Sequence, residues 1–108
     1  MNLPLRGEVW VADLGMIAKV RPVLVVSVPF GDHDYALFQI VPHTTSVRGS
    51  QFEVALDVRG LERGVFNIQG SQAVPRINLL RRIAVLTPAQ MQSVEDAWLR
   101  WLGIRTPQ

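Results

Sequence analysis

The feature that most constrains the fold is an apolar run behind a cationic tip, KVRPVLVVSVP at Lys19–Pro29. Val23–Val28 is almost continuous valine and leucine with one serine, a pattern typical of a strand buried on both faces. Pro22 cannot donate to a sheet and favours extended geometry in the residue before it. We therefore predict a central strand at Val23–Val28, with Arg21 where the chain enters the sheet. The simpler alternative is that Arg21 only ends a strand with a solvated charge.

Length and composition restrict the class of protein. With 108 residues, 48% of them hydrophobic, we expect a single domain spanning residues 1–108. No apolar run approaches the roughly 18 residues of a membrane span, and no signal-peptide pattern opens the chain, so we expect a cytoplasmic protein with no membrane contact. The absence of cysteine excludes disulfides, thiolate nucleophiles and cysteine-based zinc sites, and we expect neither a metal nor a cofactor.

The basic residues favour an anionic partner. Ten of the eleven are arginine, whose planar group binds phosphate and carboxylate through two hydrogen bonds. The net charge of +2 is too small to indicate nucleic-acid binding by itself.

Short strands dominate the rest of the chain. Alternating or continuous apolar residues, bounded by glycine and proline turns, predict strands at Glu8–Leu14, Tyr35–Val41, Phe52–Val58, Val65–Gln69, Gln72–Pro75 and Leu79–Leu86. Thr87-Pro88-Ala89-Gln90 is a capping box that begins an amphipathic helix, and Gly103 ends it. Trp98 and Trp101 lie on its apolar face, where we expect them to pack on the sheet. The predicted fold class is mainly β (α+β), a small, strongly bent sheet or barrel with a C-terminal helix.

Three candidate sites lack the sequence context that their chemistry requires. His33 lies between two aspartates, but without a second ligand cluster it is better interpreted as a solvated turn than as a metal site. Ser27 has no flanking glycines of the kind that expose a hydrolase nucleophile. Glu95 and Asp96 are interpreted as the solvated face of the helix.

The remaining constellation joins Arg21 to the polar segment His43-Thr44-Thr45-Ser46 and to Arg48. If the two strand ends lie together, a guanidinium, hydroxyls and an imidazole converge. Such a set suits RNA phosphodiester cleavage, because the 2′-hydroxyl of the substrate is its own nucleophile and the protein need only stabilise charge, orient the phosphate and provide a proton route. The pKa of a threonine hydroxyl is too high for the group to lose its proton and act as a strong base. A threonine would therefore act by hydrogen bonding to the phosphate or to the leaving oxygen.

Ordered motifs along nearly the whole chain give the sequence a recognisable pattern. They are Arg6-Gly7-Glu8-Val9-Trp10, Arg21-Pro22-Val23-Leu24-Val25-Val26-Ser27, Val41-Pro42-His43-Thr44-Thr45-Ser46, Phe52-Glu53-Val54, Leu79-Leu80-Arg81-Arg82-Ile83 and Leu86-Thr87-Pro88. In this pattern the chain resembles the MazF/PemK family of toxins from type II toxin-antitoxin systems. The resemblance implies an SH3-like barrel, a homodimer, a cognate antitoxin, and metal-independent, sequence-specific cleavage of single-stranded RNA that arrests translation and growth.

The resemblance also assigns residues. It implies that Arg21 and Thr45 are the catalytic pair, with Thr44 as the second candidate threonine. His43, which most members lack, is a further catalytic candidate as a general acid, or a spectator beside the cleft. Candidate contacts to the RNA are Lys19, Ser46, Arg48 and Arg82.

Two segments depart from the family pattern. Gly15-Met16-Ile17-Ala18-Lys19-Val20 replaces a longer glycine-rich loop, which predicts different contacts with RNA and antitoxin. Gln69-Gly70-Ser71 stands where Asp-Gln-Val is usual, so that site is not carried over. Two alternatives therefore stay open: a noncatalytic barrel that binds a protein target, as the related CcdB barrel binds gyrase, or a plain RNA-binding module.

Overall fold

A computed structural model describes residues 3–15 and 20–104, which form one antiparallel sheet and a C-terminal helix. Two single 3₁₀ turns, Ile68–Gly70 and Arg76–Asn78, flank the sixth strand. The strands and the helix are, in chain order, β1 (Glu8–Asp13), β2 (Val20–Val25), β3 (Phe38–Thr44), β4 (Glu53–Ala55), β5 (Val65–Asn67), β6 (Gln72–Val74), β7 (Leu79–Val85) and α1 (Pro88–Leu102). The predicted class, mainly β with a C-terminal helix, is confirmed.

The sheet is open. Its strand order is β4-β5-β3-β2-β1-β7, and β6 pairs with part of β3. Within the described residues the outer strands β4 and β7 do not pair with each other, so the sheet does not close into a complete barrel. The predicted bent sheet is therefore found in its open form.

The central strand lies earlier in the chain than its apolar run predicts. It covers Val20–Val25 in place of Val23–Val28, and Val28 is 70% exposed. The backbone N–H of Val26 still donates to the carbonyl oxygen of Gln39, but the N–H of Gln39 donates to the side-chain oxygen of Ser27 at 3.0 Å. Because a side chain replaces a backbone acceptor at this point, the regular strand pairing ends although the apolar residues continue.

The sheet buries side chains on both faces. On one face Val9, Leu24, Val41 and Phe66 pack against α1, which contributes Val94. A second cluster contains Trp10, Val23, Val25, Ile40 and Leu79. Because neighbouring residues of β1 and β2 go to different clusters, these central strands are buried on both faces.

The helix begins and ends as its sequence predicts. The side chain of Thr87 accepts the N–H of Gln90, and the Gln90 side chain accepts the N–H of Thr87. Gly103, with a φ of +70°, closes the C-terminal end. Trp98 packs on the core, whereas Trp101 is 37% exposed, so the predicted core role holds fully for only one of the two tryptophans. Within the described part of the chain, no helix has the length and apolar character of a membrane span.

Candidate active site

The pairing of β2 with β3 brings the two predicted catalytic segments together. Val23 lies opposite Pro42 and Leu24 opposite Val41 in this antiparallel ladder. Beyond this ladder, Arg21 lies two residues before Val23 on β2, and Thr44 lies two residues after Pro42 on β3. Neighbouring strands lie about 5 Å apart, so two residues from distant parts of the sequence share the same end of the sheet.

A cleft with two lobes lies at this end, and we call it the strand-end cleft. Arg21, Thr44 and Ser46 line both lobes. The first lobe has a volume of about 420 Å³ and is completed by Val20, Pro22, His43, Thr45, Gly60, Leu61, Glu62 and Ile83. The second has a volume of about 300 Å³ and is completed by Pro42, Arg48, Ser50, Glu53, Asn67 and Gln69. Predicted site residues from both segments therefore line one cleft.

Arg21 is positioned to bind an external anion. Its backbone is fixed by pairing with Ala12 of β1, and its side chain is half-buried. No carboxylate of the described residues lies within ion-pair distance of it. Its guanidinium hydrogen bonds therefore remain available to a phosphate.

The two threonines differ in position. Thr44 ends β3, and its Oγ1 accepts the backbone N–H of Ser46 at 3.0 Å, so the hydroxyl proton remains available for donation into the cleft. Thr45 is exposed and lines the first lobe only. Thr44 thus lines both lobes with Arg21, whereas Thr45 lines one.

His43 is the buried titratable group of the cleft. The residue is 4% exposed, and its ring meets the edge of Phe66 with centroids 4.9 Å apart. Burial lowers its pKa below the ordinary value, and the nearby charge of Glu62 offsets only part of this effect. The neutral imidazole is therefore the favoured form in the folded protein.

Gly64 allows β3 to approach the turn that carries Glu62. A Cβ at this position would lie closer than 3.0 Å to the carbonyl oxygen of Thr44 and 2.9 Å from Cε1 of His43. A larger residue would have to displace the backbone beside Thr44.

Glu53 of β4 organises the segment that connects β3 to β4. Its carboxylate accepts the backbone N–H groups of Arg48, Gly49 and Ser50, with a shortest distance of 2.7 Å at Gly49. Desolvation raises the pKa of Glu53, but these hydrogen bonds and the charge of Arg48 together lower it below the ordinary value. The carboxylate therefore stays ionised.

The predicted RNA contacts are only partly brought together. Ser46 and Arg48 line the second lobe with Arg21. Lys19 lies outside the described residues. Arg82 lies in a separate cleft and donates to Oε2 of Glu8 at 3.1 Å.

We call the surroundings of Arg82 the β1–β7 arginine cluster, which comprises Arg76, Arg81, Arg82, Glu8 and Trp10. The guanidinium of Arg76 lies over the Trp10 ring, 5.0 Å from its centroid. Oε1 of Glu8 accepts from Nε1 of Trp10 and from the backbone N–H of Leu5.

Several residues of the cleft were not identified from the sequence. Glu62 lies between the predicted strands Phe52–Val58 and Val65–Gln69, and Asn67 and Gln69 belong to the second of these strands. Gly60 and Gly64, on either side of Glu62, are the available signal in the sequence, since Gly64 permits the close approach to His43 and Thr44.

The segment around His33 shows no metal-site geometry. Asp34 accepts the backbone N–H of Gly31 at 2.8 Å and so stabilises its own turn. Across residues 3–15 and 20–104 there is no group of three histidine, aspartate or glutamate side chains arranged to hold a metal ion.

Comparison with known proteins gives consistent results. The chain is 32% identical over 107 residues to endoribonuclease MazF1 of Mycobacterium bovis, covering 99% of this chain and 100% of that protein. It is 30% identical over 95 residues to the probable endoribonuclease MazF5 of Mycobacterium tuberculosis, covering 85% and 86% of the two chains.

The fold comparison agrees. A mycobacterial endoribonuclease solved in complex with its cognate antitoxin superposes with a TM-score of 0.83 at 28% identity, covering 97% of this chain and all of that one. The sequence model of the PemK-like, MazF-like toxins matches residues 5–102. Together with the strand-end cleft, these matches show that the chain belongs to the PemK-like, MazF-like toxins of type II toxin-antitoxin systems.

Proposed function

We propose that this protein is a toxin that cleaves single-stranded RNA, mRNA in particular, without a metal ion. The observation that carries the proposal is the strand-end cleft, which Arg21 lines together with Thr44 and Thr45 and in which no carboxylate of the described chain is paired with Arg21. The endoribonuclease names of the curated relatives support the same activity.

The proposed chemistry is transesterification followed by release. The 2′-hydroxyl attacks the adjacent phosphorus, its proton leaves to a base, and the bond to the 5′-oxygen breaks as that oxygen gains a proton. The products are a 2′,3′-cyclic phosphate and a free 5′-hydroxyl. The protein would contribute orientation and stabilisation of the phosphorane charge.

Arg21 would bind two phosphate oxygens through its guanidinium. A threonine hydroxyl would donate to a phosphate or leaving oxygen. The resemblance assigns this role to Thr45. Thr44 is favoured instead because it lines both lobes of the cleft with Arg21 and its hydroxyl proton is available for donation. Ser46 and Arg48 would contact the RNA backbone from the second lobe.

His43 would serve the proton route. Its lowered pKa favours the neutral ring, which accepts a proton more readily than it donates one at neutral pH. From the sequence, His43 is a candidate general acid. The lowered pKa instead favours His43 as the general base that first accepts the 2′-hydroxyl proton. The same ring would then return a proton to the leaving oxygen.

The proposal includes the partners of the family. A cognate antitoxin would neutralise the toxin, as the mycobacterial structure in complex with its antitoxin supports. A homodimer acting in the cytoplasm is the assembly that we propose for the active toxin.

The test is incubation of the purified protein with a mixed single-stranded RNA in EDTA, followed by end-group analysis. Cleavage with cyclic-phosphate and 5′-hydroxyl ends is the expected result. Retention of RNA without cleavage would select the RNA-binding module instead. A protein that neither binds nor cleaves RNA would favour the noncatalytic barrel that acts on a protein target.

A further inference from the structure

We propose that Glu53 is a positioning residue for RNA cleavage, because it holds the segment between β3 and β4 in the conformation that places Thr44, Ser46 and Arg48 around Arg21. The inference rests on the proposed function. Glu53 would touch neither the phosphate nor the reacting atoms, and would act through the backbone that carries the residues that do.

The hydrogen bonds of Glu53 connect its side chain and its backbone to residues 48–50, and we call this group of hydrogen bonds the Glu53 unit. Oε1 accepts from the backbone N–H groups of Gly49 at 2.7 Å and Ser50 at 3.0 Å, and Oε2 accepts from that of Arg48 at 3.1 Å. The N–H of Glu53 in turn donates to the carbonyl oxygen of Ser50 at 3.1 Å. One side chain therefore fixes three successive peptide groups to the start of β4.

The unit is joined directly to the cleft. Arg48, Ser50 and Glu53 line its second lobe together with Arg21 and Thr44. The same segment continues from Ser46, whose N–H donates to Oγ1 of Thr44. A change in the path of residues 48–50 would therefore move side chains that line the second lobe with Arg21.

The negative charge of Glu53 is unexpected in a cleft that binds RNA, which indicates a specific role for the carboxylate. A negative charge in a cleft that binds RNA repels the phosphates, so on charge alone Glu53 would weaken binding. Three backbone N–H groups and the nearby Arg48 compensate that charge. This arrangement suits a residue that orders the cleft before the substrate arrives, because a preorganised site avoids the cost of ordering the segment on binding.

The experiment compares Glu53→Gln and Glu53→Ala with the wild type in steady-state cleavage of a single-stranded RNA. The glutamine retains one oxygen that can accept the N–H groups, whereas the alanine retains none. We expect kcat to fall about threefold to tenfold in Glu53→Gln and about 10- to 100-fold in Glu53→Ala. KM should stay unchanged or decrease, because both variants remove a negative charge from the cleft.

Asp96→Asn is the matched control. It also removes one negative charge, but Asp96 lies on α1, away from the cleft lining, and accepts from Gln92 on the same helix. We expect its kcat and KM to remain within twofold of the wild-type values, about the margin of an exposed substitution.

Amide hydrogen exchange provides the second readout. In Glu53→Ala, the amides of residues 48–50 should exchange faster, while the strands and the midpoint of thermal unfolding remain close to wild type. This confines the effect to the segment and separates positioning from general loss of structure.

Three results would overturn the proposal: an unchanged or increased kcat in Glu53→Ala, unchanged exchange at residues 48–50, or a loss of kcat that accompanies unfolding of the whole protein. The proposed function fails separately, if the wild-type protein leaves RNA intact. In that case the exchange experiment still decides whether Glu53 orders the segment.

Discussion

Two arginine-containing regions of this small protein differ in what surrounds the charge. In the strand-end cleft, Arg21 has no carboxylate of the described chain within ion-pair distance. In the β1–β7 arginine cluster, Arg82 is paired with Glu8, a residue only 7% exposed. Of these two arginines, the fold therefore leaves Arg21 available for an anionic ligand and neutralises Arg82 with a carboxylate.

The β1–β7 arginine cluster has the character of a structural network. Desolvation raises the pKa of Glu8, but hydrogen bonds from Leu5, Trp10 and Arg82, together with the charge of Arg82, lower it below the ordinary value. Each acceptor oxygen of the carboxylate is already used inside the protein. This region is expected to contribute to stability and the strand-end cleft to catalysis.

The largest expected effect is at Arg21. Arg21→Ala should reduce the rate of RNA cleavage by about 10³-fold, because it removes the charge proposed to stabilise the phosphorane. The free energy of unfolding should change by less than about 0.5 kcal/mol, since Arg21 forms no ion pair with the described part of the chain. Cleavage kinetics and chemical denaturation measure the two quantities. Arg82→Ala is the comparison, with a loss of rate below about tenfold; equal losses in both variants would remove the distinction between the two regions.

Thr44 and Thr45 test which threonine of the strand-end cleft takes part in RNA cleavage. Thr44→Val should reduce kcat by about 10²-fold, because Thr44 lines both lobes of the cleft with Arg21. Thr45→Val should reduce it by less than about tenfold, because Thr45 lines only the first lobe. Single-turnover cleavage of one RNA by both variants makes the comparison. A larger loss in Thr45→Val would favour the assignment implied by the family resemblance.

Gly64 tests the packing behind the strand-end cleft. Gly64→Ala should lower the free energy of unfolding by about 1–3 kcal/mol, because the added methyl group meets the backbone of Thr44. Gly31→Ala is the matched control. Its Cβ would make only an ordinary contact, 3.6 Å from Asp34, so we expect a change below about 0.5 kcal/mol. Urea denaturation of both variants measures the difference, and equal stabilities would contradict the close approach.

The smallest expected effect is at Glu8 in the β1–β7 arginine cluster. Glu8→Gln should lower the free energy of unfolding by about 1–2 kcal/mol at pH 7, because it weakens charge-assisted hydrogen bonds. The pKa of Glu8 is lower in the folded protein than in the unfolded chain, so ionised Glu8 stabilises the fold. This stabilisation is complete above the unfolded pKa of about 4.3 and is lost as the pH falls through the folded pKa. The difference between wild type and variant should therefore shrink between pH 7 and pH 3. A difference that is equal at both values would show that ionised Glu8 does not stabilise the cluster.

Local signals predicted the helix better than the strands. The capping box of Thr87 and Gln90 and the terminal Gly103 lie within the helix or next to it, and the structure follows them. The apolar run predicted β2 three residues too late, because composition does not reveal that Ser27 replaces a backbone partner of Gln39. Strand limits depend on a neighbour distant in sequence, which periodicity does not contain.

In the strand-end cleft, too, the sequence predicted the residues but not all of their contacts with distant segments. Arg21, Thr44, Thr45, Ser46 and Arg48 were identified from residue type and family resemblance, and all five line the strand-end cleft. Arg82, predicted with them as an RNA contact, lines a different cleft. Its pairing with Glu8 joins residues 74 positions apart, and only the β1–β7 register brings them together.

The sequence by itself determined the class of fold, the helix and its ends, and the residue types that suit a phosphate, because these follow from local preference and side-chain chemistry. The tertiary structure decided which of those residues meet and which arginines are neutralised. Those outcomes depend on strand register and on contacts between distant segments, where a shift of one residue would turn each side chain to the opposite face of the sheet.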